Sequence, residues 1–184
     1  ADYQWFPAVV SDGANFLVVW QDARSGSHIY GARVTSAGVV LDPQGIVVST
    51  TASGQGSPAL AFDGTSFLVA WSDSRSVSPD IYGARVTPAA VVLDPAGIAV
   101  SRAADCRWLP AVVSDGANFL VVWQDSRNGD STDIYGARVT PAGVVLDTTG
   151  FAISTAARNQ CGPACAFDGA NFLVVWQDDR SGGN

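Results

Sequence analysis

The stretch NFLVVWQDARSGSHIYGARV (residues 15–34) returns as SFLVAWSDSRSVSPDIYGARV and NFLVVWQDSRNGDSTDIYGARV, and a fourth copy reads NFLVVWQDDRSGGN. Trp20, Trp71, Trp123 and Trp176 stand 51, 52 and 53 residues apart, and Asp12, Asp63, Asp115 and Asp168 keep the same spacings. Self-similarity at a fixed period means that one small unit is built repeatedly and stacked on its own copies. Tyr30, Tyr82 and Tyr135 follow the same rhythm, and the expected fourth Tyr would fall beyond Asn184. The chain therefore divides into repeats at approximately 1–51, 52–103 and 104–156, followed by a half repeat at 157–184.

Each repeat contains four extended segments. The first, PAVVSDG (7–13), ends in Asp-Gly, a tight-turn signal. The second, NFLVVWQD (15–22), is apolar on both alternating faces, with Phe16, Val18 and Trp20 on one and Leu17 and Val19 on the other. A strand apolar on both faces must be covered on both. The third, IYGARVT (29–35), carries a Gly that suggests a bulge or close packing, and the fourth comes from GVVLDPQGIVVS (38–49), with a turn at DPQG. No capped helical period is present. All seventeen acidic residues are Asp and all ten basic ones are Arg, so Glu, Lys and Met, good helix formers, are missing. An all-β chain follows. Units of this length with four short strands have the size of one β-propeller blade, and stacking blades face to face covers a two-sided second strand. The expected fold is an all-β propeller with four-stranded antiparallel blades of about 52 residues, three full blades and half of another in one domain.

The run PAVVSDG, followed by FLVVWQDARSGSHIY, resembles the bacterial TolB-type propeller repeat. That repeat reads roughly Pro, an aromatic, Ser-Pro-Asp-Gly, an apolar strand, Ser-Asp-Arg-x-Gly and Asp-Ile-Tyr. The match covers about half of each repeat and departs from the pattern at the aromatic and at the second Pro. The resemblance implies a propeller of four-strand blades and little about function, because propellers host binding and catalysis alike.

A second alternation overlies the first. Repeats one and three open YQWFPAVVSDG and CRWLPAVVSDG, whereas repeats two and four open QGSPALAFDG and QCGPACAFDG. The larger unit is a pair of blades, which closes on an even ring. The half repeat supplies an inner hairpin with a bare edge, and bare edges invite pairing with another chain. The expectation is a homodimer forming one larger ring, against a four-bladed monomer or a piece of a longer propeller.

Net charge is −7, against the basic footprint that nucleic acids and anionic membranes require. No apolar run reaches the roughly 18–20 residues of a membrane span, so membrane insertion is not expected. No signal peptide is visible, as in a processed exported protein, and the expected location is extracellular or periplasmic.

Three cysteines permit at most one internal disulfide, and Cys106–Cys161 is the conceivable bridge. Cys165 takes the place of Val112 and reads as a small core residue. His28, the lone histidine, aligns with Asp80 and Asp133 and reads as a solvated loop residue. Without a second His or a G-x-S-x-G, no nucleophilic triad can be assembled. No cofactor is expected. Calcium is conceivable only at DSRNGDSTD (125–133), which lacks the order of an EF-hand loop.

The ligand-binding candidates are Trp5, Trp108, Arg24, Arg75 and Arg127. Trp5 and Trp108 occupy equivalent places where the other repeats have Gly56 and Cys161, so duty to the fold explains them less well, and an exposed indole can stack on a sugar face. The arginines belong to Asp-x-Arg elements (Asp22/Arg24, Asp73/Arg75, Asp125/Arg127, Asp178/Arg180) and could fork onto sugars or anions. Their presence in every blade favours a framework role, with the third-strand arginines Arg33, Arg85 and Arg138 as natural partners of those carboxylates. An enzyme would need an asymmetric pair of acids, whereas the acids here mostly repeat and Asp105, Asp130 and Asp179 sit singly. The favoured reading is a non-enzymatic binding or assembly scaffold, lectin-like if its ligand is a glycan. A propeller enzyme of the glycosidase or lyase type is the alternative.

Overall fold

The computed structural model describes residues 3–51, 54–102, 107–129 and 131–180. Among them every regular element is a strand. The first sheet runs β1 (Gln4–Ser11), β2 (Asn15–Asp22), β3 (His28–Thr35) and β4 (Ile46–Ser49). The second holds β5 (Gln55–Phe62), β6 (Phe67–Asp73), β7 (Asp80–Val86) and β8 (Ile98–Ser101). The third holds β9 (Arg107–Ser114), β10 (Phe119–Asp125), β11 (Asp133–Val139) and β12 (Phe151–Ser154), and the last only β13 (Gln160–Phe167) and β14 (Phe172–Asp178). Each sheet is an antiparallel meander in chain order.

The fold is a β-propeller. The first strands β1, β5, β9 and β13 lie side by side in sequence order around a common depression lined by Phe6, Ser57, Leu109 and Gly162 with the prolines that follow them. Each of these four residues sits in the left-handed region, at φ 50, 52, 51 and 59. Each marks a bulge where the register of the first pair slips, as between Trp5 and Ala8. The bulge follows from the proline, which cannot donate to the ladder.

Sheets are joined by a repeated backbone bond. The first residue of each new inner strand donates its N–H to the loop just before the third strand of the preceding sheet: Gln55 to Ser27 (2.9 Å), Arg107 to Pro79 (3.0 Å) and Gln160 to Thr132 (2.7 Å). Between these ties the apolar faces interlock. Leu17 and Val19 of the first sheet pack on Phe67, Val69 and Trp71 of the second, and Leu68 and Ala70 of the second on Phe119, Val121 and Trp123 of the third. The two-sided second strand is thus used on both sides in the middle of the array, where β6 is buried throughout.

Two details differ from the sequence expectation. The fourth strand is only four residues long, because most of 38–49 is spent on two turns. His28 is not a solvated loop residue but the buried first residue of β3, its Nε2 3.2 Å from the Ser25 carbonyl oxygen. Cys161 and Cys165 carry free thiols, and burial pushes the Cys165 thiol up to about 11. Cys106, the expected partner of Cys161, lies outside the described residues. No described helix is long and apolar enough to cross a membrane.

Candidate functional site

The Asp-x-Arg elements form one knot per sheet. Residues two apart on a strand share a face, so Trp71 can turn its indole Nε1 onto Asp73 Oδ2 at 2.9 Å. Arg75, in the turn after β6, folds back and donates Nε to Asp73 Oδ1 (2.8 Å) and Nη2 to Oδ2 (2.6 Å). Its guanidinium lies 3.7 Å from the centre of the Tyr82 ring. The same knot joins Trp20, Asp22, Arg24 and Tyr30, and again Trp123, Asp125, Arg127 and Tyr135. Burial alone would push the Asp73 and Asp125 carboxyls up. The bonds from arginine and indole outweigh it and hold both below the usual carboxylate range. The guanidinium fork of each candidate arginine is thus occupied by its own carboxylate, and Arg24, Arg75 and Arg127 stand in three different sheets.

The third-strand arginines do not serve these carboxylates. Arg33, Arg85 and Arg138 pair with Asp42, Asp94 and Asp147, nine residues on, at 2.8 to 2.9 Å. The pairs tie the turn before the fourth strand to the third strand, and each arginine holds its aspartate below the ordinary range. The carboxylates Asp12, Asp63, Asp115 and Asp168 accept backbone N–H groups within the first hairpin of each sheet. Asp80 accepts from Ser76 and Asp133 from Asn128. Every repeated carboxylate is therefore spent on the framework.

One position breaks the symmetry, and sequence reasoning passed over it. Gln4, Gln55, Arg107 and Gln160 open the four inner strands. Gln4 and Gln55 donate Nε2 to the knot carboxylates Asp22 and Asp73, whereas Arg107, fully buried, donates to Asp125 (3.0 Å) and to Asp80 of the preceding sheet (3.1 Å). The spacings of 51, 52 and 53 were the available signal.

The tryptophans outside the knots part company. Trp108 lines a groove to which the first three sheets contribute, together with Gln21, Gln55, Gly56, Ser72 and Ser74. Ser72 Oγ is buried there without a hydrogen-bond partner, and buried hydroxyls ordinarily have one. An indole beside hydroxyl and amide groups has the chemistry of a sugar subsite: an apolar plate for the ring and polar atoms for its hydroxyls. Trp5, its counterpart, stands on the uncovered face of the first sheet, stacked on Tyr3 at 5.5 Å and beside Val18 and Trp20. Among the described residues no group of three or more His, Cys, Asp or Glu could hold a metal ion. In the loop 125–133, Asp125 and Asp133 are bound as above and Asp130 is outside the described residues, as is Asp105.

No protein-family profile and no curated protein matches the chain. Solved structures do. A thermostable family-43 glycoside hydrolase aligns with a TM-score of 0.64 at 12% identity, over 94% of this chain and 65% of that one. The α-L-arabinofuranosidase of Lactobacillus brevis aligns at 0.59 and 14% identity, over 84% and 58%. The Bacillus subtilis arabinanase Arb43A aligns at 0.54 and 15% identity, over 97% and 75%. The chain spans less than two thirds of the length of the first two. At these identities the likeness is one of fold. The three named neighbours are glycosidases, so the expectation that the chain is not an enzyme draws no support from its architecture.

Proposed function

We propose that this chain belongs to a propeller enzyme of the glycosidase type and that the Trp108 groove holds a glycan. The observation that carries the reading is the pairing of Trp108 with the partnerless buried Ser72 Oγ, in a fold shared with glycoside hydrolases. Glycoside hydrolysis uses two carboxyl groups roughly 5–10 Å apart. The other aspartates are engaged in the framework, so the reacting acids are to be sought among Asp2, Asp105, Asp130 and Asp179. Because an α-L-arabinofuranosidase and an arabinanase are among the structural neighbours, arabinose-containing glycans are the first substrate class to try. An extracellular or periplasmic location suits polymeric substrates, and the TolB-type resemblance describes the blades of such a protein.

The test is release of reducing sugar from arabinan and other plant and bacterial polysaccharides. Wild type is expected to hydrolyse at least one. Trp108→Ala, losing a stacking surface, is expected to bind that substrate about tenfold more weakly. Asp2→Asn, Asp105→Asn, Asp130→Asn and Asp179→Asn identify the reacting acids by loss of turnover with binding retained. Absence of hydrolysis across the panel would overturn the reading.

A further inference from the structure

We propose that Gly56 and Ser72 open a slot for one uncharged sugar ring on the second sheet, with Trp108 as the plate on which the ring lies and the Gln21 amide as a polar contact. The inference rests on the reading that the Trp108 groove holds a glycan, and it names the residues that shape that groove and the kind of ring it takes. Gly56 and Ser72 are partners across β5 and β6. The equivalent pairs are Trp5 and Gln21 in the first sheet, Trp108 and Gln124 in the third, and Cys161 and Gln177 in the last. Among the described sheets the second alone holds two small residues there, so the slot is a property of that sheet and not of the repeat.

Space, not backbone conformation, calls for the glycine. Gly56 lies outside the left-handed region, but a Cβ built on it would collide with the side-chain amide of Gln21, which reaches over from the first sheet. A short chain of bonds orients that amide. Ser27 spends its hydroxyl proton on the Gln55 carbonyl oxygen (2.7 Å) and therefore accepts from Gln21 Nε2 (2.7 Å). Gln21 Oε1 is left over Gly56, where it accepts no hydrogen bond among the described residues.

The occupant follows from what lines the slot. The hydroxyls of Ser57, Ser72 and Ser74 make no hydrogen bond among the described residues, and Ser72 is only 8% exposed. A sugar ring brings hydroxyls that both donate and accept, together with an apolar face, and so answers Gln21 Oε1, these serines and the indole at once. No charged side chain is among the described lining residues. A uronate or sulfate group would give up its hydration there without a counter-charge, which is costly. The groove measures about 230 Å³, below the roughly 300–1,000 Å³ of pockets that bury drug-sized ligands. It therefore takes one ring rather than several.

Binding, read apart from turnover, tests this. Calorimetric titration uses methyl arabinofuranoside, methyl galactopyranoside and methyl galacturonoside as probes. Wild type is expected to bind a neutral probe at least about tenfold more tightly than the galacturonoside. Ser72→Gln, which installs the residue of the other three sheets, is expected to weaken neutral binding about tenfold with an unchanged far-ultraviolet circular dichroism spectrum. Ser74→Arg, at an exposed lining position, adds a cation and is expected to turn the preference toward the galacturonoside. Wild type that binds no neutral probe, or binds the galacturonoside as tightly, overturns the proposal, and so does a folded Ser72→Gln that binds like wild type. Should Ser72→Gln misfold, Ser74→Arg decides, because an unchanged preference there puts the ring elsewhere. Neutral binding without hydrolysis of any polysaccharide keeps the slot and removes the enzymatic reading. Hydrolysis by a wild type that prefers the galacturonoside keeps that reading and removes the slot.

Discussion

At the scale of single residues, stability is concentrated in the knot carboxylates. Asp125 accepts from the indole of Trp123 (2.8 Å), from Arg127 (2.6 Å) and from buried Arg107 (3.0 Å). Removing one member of a buried ion pair leaves the other charge without compensation, at a cost of about 3–5 kcal/mol. Asp125→Ala is therefore expected to lower the unfolding free energy by that order in urea titrations. Arg107→Gln, which installs the residue of the other three sheets, keeps a donor to Asp125, gives up the Asp80 pair and is expected to cost about 1–2 kcal/mol. Asp73 and Asp125 are held below their unfolded pKa. Their contribution is complete above about pH 4 and is lost as pH falls through the folded values. Thermal midpoints should hold between pH 7 and 5 and fall steeply below 4, and Asp73→Asn should flatten that fall. The Asp-x-Arg elements were legible as framework because they recur in every blade. Their partners were not, since a register of strands and turns decides which carboxylate nine residues away an arginine meets. Arg33 found Asp42 in this way, and Asp22 was left to its own Arg24.

At the scale of elements, the inner strands store strain in the same place. Phe6, Ser57 and Leu109 adopt φ near 50, and Gly162 relieves the same requirement in the last sheet. An L-residue in that region costs roughly 1–2 kcal/mol. Ser57→Gly is expected to raise the guanidinium midpoint by the equivalent of about 0.5–1 kcal/mol, the entropy of the unfolded glycine taking back part of the relief. A Ser57→Val replacement, β-branched at a positive φ, is expected to lower it. A loss of stability in Ser57→Gly would show that Ser57 is held there by contacts worth more than the strain. Strand order and the two-sided second strand could be read from alternating apolar residues and Asp-Gly turns. The bulge could not, because Pro7, Pro58, Pro110 and Pro163 announce a missing donor without saying how the chain accommodates it. Trp108 was singled out because it breaks the repeat. That it shares a groove with Ser72 depends on packing between sheets, which no spacing within one sheet reports.

At the scale of the whole molecule, the array behaves as a stack in which each sheet is held by its neighbours. Stability in such stacks is close to a sum of unit and nearest-neighbour contributions, so the ends open more readily than the middle. β6 and β10 lie between two hydrogen-bonded strands and are covered on both faces. β14 pairs with one strand in the described chain and leaves Leu173 and Val175 in water, and β1 exposes most of its length. Hydrogen exchange at low protein concentration should therefore be slowest in β6, β7, β10 and β11. It should quicken toward β1 and β2 on one side and be fastest in β13 and β14, which have no third strand beside them among the described residues. A chain that unfolds as one cooperative unit would instead give all the inner amides one common opening free energy. That outcome would mean that the axial strands β1, β5, β9 and β13 couple the sheets more strongly than their side-by-side packing suggests.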